Sequence, residues 1–153
     1  MEWVHDNLPN IFLVCGIFMA VVLSGAGSAK GGAMISKATA ALMSEQPEKF
    51  GQSLVLMMMS ASQGLYGFII GFLIYTQLGE NLAFWDAFRL FGAGSIMGLA
   101  GYLTAIPQSI AATAGVQILA KRPEHSTKGI MYSALIETYA IFAFVLAVLM
   151  VLY

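Results

Sequence analysis

The chain has 153 residues, of which 59% are hydrophobic and 10% charged, and its mean hydropathy is +0.80. Soluble domains carry about 25% charged residues, so the composition excludes an ordinary soluble protein and points to an integral membrane protein. A formal net charge of −1 excludes a nucleic-acid footprint, and His5, His125 and the single Cys15 offer neither metal-ligand spacing nor an internal disulfide.

Four apolar segments follow in chain order. The N-terminal Met1-Glu-Trp-Val-His-Asp is acidic where a cleaved signal peptide is basic. The first apolar segment, about 10–43, is therefore expected to persist as a helix. Its run Ser24-Gly-Ala-Gly-Ser-Ala-Lys-Gly-Gly32 lacks the Gly-Lys-Ser/Thr ending of a phosphate loop. Ala20, Ser24, Gly27 and Gly31 form instead a small-residue face at helical spacing, suited to tight packing in lipid. The second segment, about 52–77, carries Ser62, Gln63 and Tyr66 on one face, with Met59 one turn earlier. Read by themselves, Met57, Met58 and Met59 are lipid or interface filler. The third, about 87–120, places Gln108 on a stripe with Thr104, Ala105, Ala111, Ala112 and Gly115. Pro107 before it removes a backbone donor and leaves the Leu103 carbonyl without one. The fourth, about 128–153, is apolar except for Glu137. Roughly 20 apolar residues cross a bilayer as a helix, so each segment is long enough, and the first and third are expected to project beyond the lipid.

The polar connections after the first and third segments share Pro-Glu, at Pro47-Glu48 and Pro123-Glu124, an offset of 76 residues. At that offset Leu23 meets Leu99, Gly25 meets Gly101, Ala38 meets Ala114 and Phe68 meets Phe144. The pattern predicts a duplicated helical hairpin, one unit over 1–80 and a second over 81–153. Lys30, Lys37, Lys49, Lys121, Arg122 and Lys128 lie toward the Pro-Glu loops. Arg89 lies toward the other side, with Glu2, Asp6, Glu80 and Asp86. The positive-inside rule then expects a multi-pass protein of the cell membrane with cytoplasmic Pro-Glu loops and both termini outside.

Glu137 carries the functional reading. A carboxylate in mid-span costs on the order of 2.5–3.5 kcal/mol by insertion scales and marks an ion or proton pathway by default. Gln63 lies 16 residues after Pro47, Glu137 14 after Pro123 and Gln108 15 before it. At about 1.5 Å per residue these three side chains share one layer. With the Ser62 hydroxyl they supply the oxygen donors that hard cations take. A monovalent cation on one carboxylate makes a neutral complex, cheaper to hold in low dielectric than either charge alone. A proton would neutralise Glu137 too, but would leave the amides surplus. Read singly, Gln63, Gln108 and Ser62 are ordinary helix–helix glue and Tyr66 is packing.

With Gln46-Pro-Glu-Lys-Phe-Gly, Gln63-Gly-Leu-Tyr-Gly-Phe, Gly115-Val-Gln-Ile-Leu-Ala-Lys and Lys128-Gly-Ile-Met-Tyr-Ser-Ala-Leu-Ile-Glu-Thr-Tyr-Ala-Ile, the glycine-rich run resembles the sixteen-kilodalton proteolipid of rotary V-type ATPases. The similarity is closer to the K subunits of bacterial sodium-pumping V-type enzymes and covers nearly the whole chain. It implies an all-α membrane protein of four transmembrane helices in two duplicated hairpins, assembled as a homo-oligomeric ring among membrane lipids. The ring would be turned by ATP hydrolysis in a cytoplasmic head, would meet a stator membrane subunit and a central-stalk subunit, and would not be catalytic alone. The resemblance implies Na+ ligation by Glu137, Gln108, Gln63, Ser62 (where the family has Thr) and the backbone carbonyl of Met59 (where it has Leu), with Tyr66 supporting Glu137. H+ is the alternative cargo. In such a ring the small face of the first helix is expected on the crowded inner circle, and the Pro-Glu loops, with Lys49, Lys121 and Arg122, are expected to dock the stalk or else only to set topology. A small exporter in which Glu137 alternates between proton and substrate is the competing function. A purely structural four-span protein leaves Glu137 without a purpose.

Overall fold

A computed structural model describes residues 2–153, with side chains from residue 7 onward; His5, Glu2 and Asp6 lie outside the described side chains. Among the described residues every regular element is helical. Helix α1 (Glu2–Phe18) passes through a π-helical turn, Met19–Leu23, straight into α2 (Ser24–Glu45). A 3-10 turn at Pro47–Lys49 leads to α3 (Phe50–Met58), followed by α4 (Ser62–Tyr75). Helix α5 (Phe84–Lys121) runs unbroken through Pro107, and a second 3-10 turn, Pro123–His125, leads to α6 (Ser126–Leu152). Among the described residues, three helical stretches are long and apolar enough to cross a membrane: Asn7–Glu45, Phe84–Lys121 and Pro123–Leu152. The pair Pro47–Met58 and Ser62–Tyr75, bent by 44°, makes up to four.

The third and fourth segments differ from the sequence expectation only at their ends, and the first also contains the π-helical turn at Met19–Leu23. The second does not form one helix over 52–77; it breaks at Met59–Ala61. No proline causes the break. The Ser62 hydroxyl donates to the Met59 carbonyl at 3.1 Å, and the Gly64 amide donates across to Ser28 Oγ at 2.8 Å. In a continuous helix those groups would serve the i→i−4 ladder, and side chains that intrude on the ladder bend helices. The hydroxyl alone is not sufficient, because Thr138 makes the same contact with the Leu135 carbonyl at 2.7 Å inside unbroken α6. At the break the Gly64 amide is diverted to Ser28, and the Met59 and Ala61 amides take i→i−3 partners at 3.3 and 3.0 Å.

Helix α5 is the spine, packed against α6 on one side and α1 and α2 on another. Backbones touch where glycines remove the side chain. A Cβ on Gly27 would lie 2.7 Å from Tyr102 Cα, and one on Gly115 would lie 3.1 Å from Gly129 Cα. The small face Ala20, Ser24, Gly27 and Gly31 is buried within the chain, with Gly27 against Gly101 and Tyr102 and Gly31 against Ser109. Small residues there let α2 meet α5 of the same chain. One core cluster around Leu13, Ile70, Ile74, Leu90 and Met97 fills one end of the bundle. A second, around Ile35, Leu42, Leu56, Val116 and Leu119, fills the Pro-Glu loop end.

The two Pro-Glu loops share a backbone. Gln46 and Arg122, 76 positions apart, cap their helices at φ −139, ψ 67 and φ −144, ψ 73. The Gln46 amide meets the Leu42 carbonyl at 2.8 Å and the Arg122 amide meets Ile118 at 2.7 Å. The Lys49 amide meets Gln46 at 3.1 Å and the His125 amide meets Arg122 at 2.9 Å. Each bond repeats at the same offset.

Candidate ion-binding site

Three helices bring their polar side chains to one point between the two core clusters. On α6, Glu137 is partly exposed, bracketed on its own helix by exposed Leu135, Tyr139 and Phe142. Tyr66 on α4 donates its hydroxyl to Glu137 Oε1 at 2.9 Å, and its ring packs on Phe144 with centroids 5.0 Å apart. Gln108 on α5 donates from Nε2 to Glu137 Oε2 at 3.4 Å. Gln63, fully buried like Gln108, donates from Nε2 to Gln108 Oε1. Ser62 Oγ lies 3.4 Å from Gln63 Oε1 and 3.1 Å from the Met59 carbonyl.

The result is a line of oxygens: Met59 O, Ser62 Oγ, Gln63 Oε1, Gln108 Oε1 and the Glu137 carboxylate. The single Ser62 hydrogen is shared between the Met59 carbonyl and Gln63 Oε1, the Gln63 amide donates to Gln108 Oε1 and the Gln108 amide donates to Glu137. Both carboxylate oxygens are satisfied, which makes a partly buried Glu tolerable at this depth. A cation entering the line would replace the amide and hydroxyl hydrogens as the group that binds these oxygens together. Small side-chain rotations would turn the Gln63 and Gln108 oxygens inward. Helix breaks of this kind are where polar backbone groups occur at membrane depth, because they line a site.

The structure brings together all six residues singled out from sequence: Glu137, Gln108, Gln63, Ser62, Met59 and Tyr66. Sequence reasoning missed three supports. Ser28 holds the break open through the Gly64 amide. Ser133 donates to the Gln108 carbonyl at 3.3 Å and pins α5 to α6. Phe144 orients the Tyr66 ring. Ser133 stands four residues before Glu137 on the same helix face, which is the signal that could have found it. Lys30, grouped by sequence with the loop-side bases, instead donates to Tyr102 Oη at 2.8 Å beside mid-α5. Lys49, expected as a free docking charge, donates to the Leu119 and Ala120 carbonyls at 3.0 and 3.2 Å and so caps α5.

An apolar helical bundle with one carboxylate on α6, held by donors from α4 and α5, defines a multi-pass membrane protein with an ionisable group inside its helical bundle. The chain belongs to the family of ATP synthase C subunits, whose pattern matches it twice, over residues 15–74 and 91–150. It is 47% identical, over 97% of its length and 96% of the relative's, to a V-type sodium ATPase subunit K of Enterococcus hirae. It is 36% identical to an A-type ATP synthase subunit K of Methanocaldococcus jannaschii, over 93% of this chain and 62% of that one. It is 26% identical to the 16 kDa proteolipid of the human V-type proton ATPase, over 92% and 91%.

Proposed function

We propose that the chain is the membrane rotor-ring subunit of a rotary V-type ATPase, and that it carries Na+ across the membrane on Glu137. The observation that carries this reading is the oxygen line ending on the doubly held Glu137 carboxylate. Glu137, Gln108, Gln63, Ser62 and the Met59 carbonyl are the ligands, and Tyr66 holds the carboxylate in its ionised, ion-accepting position. Sodium is favoured over H+ because a proton needs one oxygen and the site offers five in series. The 47% identity to a protein named as part of a sodium ATPase supports the same cargo, against 26% to one named as part of a proton ATPase.

The architecture is two duplicated hairpins, about 1–80 and 81–153, each of two spans, with the bent pair α3–α4 as one span. Two family matches at an offset of 76, and loops of one backbone at that offset, support the duplication. The offset also accounts for one site per chain. Positions 76 after Gln63 and Tyr66 are Tyr139 and Phe142, and those 76 before Gln108 and Glu137 are Gly32 and Ala61. The hairpin boundary between copies thus has no carboxylate and no amide in this layer.

In the membrane, identical copies form a closed ring. Glu137 exchanges its ion with water where the ring passes a stator subunit, and a central stalk grips the Pro-Glu loops. Those loops are cytoplasmic and both termini outside, by their basic residues; Arg89, the basic residue toward the opposite side, is paired with Asp86 at 3.5 Å. Radioactive sodium binding to the purified oligomer, with protons and lithium as competitors, tests the reading. Saturable Na+ binding that Glu137→Gln removes is expected. Binding equal in wild type and Glu137→Gln overturns it.

A further inference from the structure

We infer that the groove between the loop-side ends of α5 and α6 receives the C-terminal end of α2 from the next copy, with His125 over the Met43 and Ser44 carbonyls. This rests on the ring reading and adds the contact that joins copies at the Pro-Glu rim.

The argument starts inside one chain. Lys49, in the first Pro-Glu loop, donates to the Leu119 and Ala120 carbonyls at the end of α5. That bond joins the first hairpin to the second and supplies a cation to carbonyls with no partner in their own helix. The two loops have the same backbone at an offset of 76 residues. In a closed ring of duplicated hairpins, the step from second hairpin to the next copy's first hairpin repeats the step within the chain. The residue 76 after Lys49 is His125; those 76 before Leu119 and Ala120 are Met43 and Ser44. The repeated contact therefore runs from His125 to the end of the neighbour's α2. Imidazole has a ring N–H donor in either protonation state.

Charge supports the same occupant. The groove measures about 490 Å³ and is lined by Gln117, Ile118, Lys121, Arg122, His125 and Lys128 among others. Its four basic side chains are exposed in the single chain. The equivalent of Lys121 on α2 is Glu45, also exposed. Within the chain, Lys49 reaches a helix end that carries a like charge at Lys121. Between copies, His125 and Lys128 reach one that carries Glu45. The duplication has diverged in sign where the two boundaries differ, and a second copy fits the basic groove by an acidic helix end.

Cysteine pairing tests the contact. In a Cys15→Ala background, His125→Cys with Ser44→Cys, and separately Lys128→Cys with Glu45→Cys, are treated with a short bismaleimide in mild detergent and run on a denaturing gel. A ladder of dimer, trimer and higher multiples is expected from at least the first pair, with monomer only from each single cysteine. A ring-sized complex in mild detergent that yields monomer alone from both pairs overturns this contact and leaves the ring standing. A chain that is monomeric in mild detergent before any reagent overturns the ring reading, and the contact with it.

Discussion

The Gly64 amide donates to Ser28 Oγ at 2.8 Å, where an unbroken helix would send it to the Ser60 carbonyl. It lies at the break between α3 and α4, where the Met59 and Ala61 amides also take i→i−3 partners and the Met59 carbonyl accepts from the Ser62 hydroxyl. A backbone oxygen thereby stands at the end of the polar line that begins on Glu137. The functional consequences can be measured one group at a time.

Glu137→Gln should abolish sodium transport while the oligomer still assembles. The amide keeps the shape and can still receive the Tyr66 hydroxyl, but the cation loses its counter-charge in a low-dielectric layer. Transport in reconstituted vesicles and size in mild detergent are the two readouts. Sodium transport at the wild-type rate would sink the mechanism.

Tyr66→Phe should preserve the packing on Phe144 and remove one donor from the Glu137 carboxylate. Hydrogen bonds to charged groups contribute about 1.5–3 kcal/mol, so sodium affinity should fall by roughly tenfold or more. Equilibrium sodium binding checks this, and unchanged affinity would show that the hydroxyl does not support the ionised carboxylate.

Ser62→Thr and Ser62→Ala should separate. Threonine keeps the hydroxyl beside Met59 O and Gln63 Oε1 and should bind sodium close to normally. Alanine removes it, at a cost of about 1 kcal/mol, or roughly fivefold in affinity. Equal affinity in the two variants would remove Ser62 from the ligand set.

A carbodiimide should label Glu137 alone, and sodium should protect it. The reagent takes the protonated carboxyl, and a bound cation holds the group deprotonated. Lower pH should therefore raise labelling and raise the sodium needed for protection. Mass spectrometry of the labelled peptide reads both. Protection absent at every sodium concentration would favour a proton as the cargo.

Gly27→Leu should prevent the single chain from folding stably, and not only disturb assembly. A Cβ there already meets Tyr102 Cα at 2.7 Å, and both sides of the contact are backbone. Overpacking typically costs about 1–3 kcal/mol, and fixed backbone places this site at the upper end. Loss of accumulated protein in the membrane is expected, whereas Gly25→Ala, with open space at its Cβ, should accumulate normally.

Composition, helical rise and spacing from two shared Pro-Glu loops are one-dimensional quantities. They suffice for the membrane class, the four apolar segments, the 76-residue repeat and the polar layer, because they place Gln63, Gln108 and Glu137 at one depth. Depth is not contact, however. Which atoms meet, that Tyr66 takes one carboxylate oxygen and Gln108 the other, depends on how α4, α5 and α6 are rotated about their axes, and packing sets that rotation. The break at Met59–Ala61 was illegible because no proline or glycine run marks it, and Ser28, which takes the Gly64 amide, lies 36 residues away on another helix. The small face of α2 shows the same limit. Its residue types announced a close approach, but the folded chain chose the partner, since Gly98, Gly101 and Ser109 of α5 already press against that stretch of backbone.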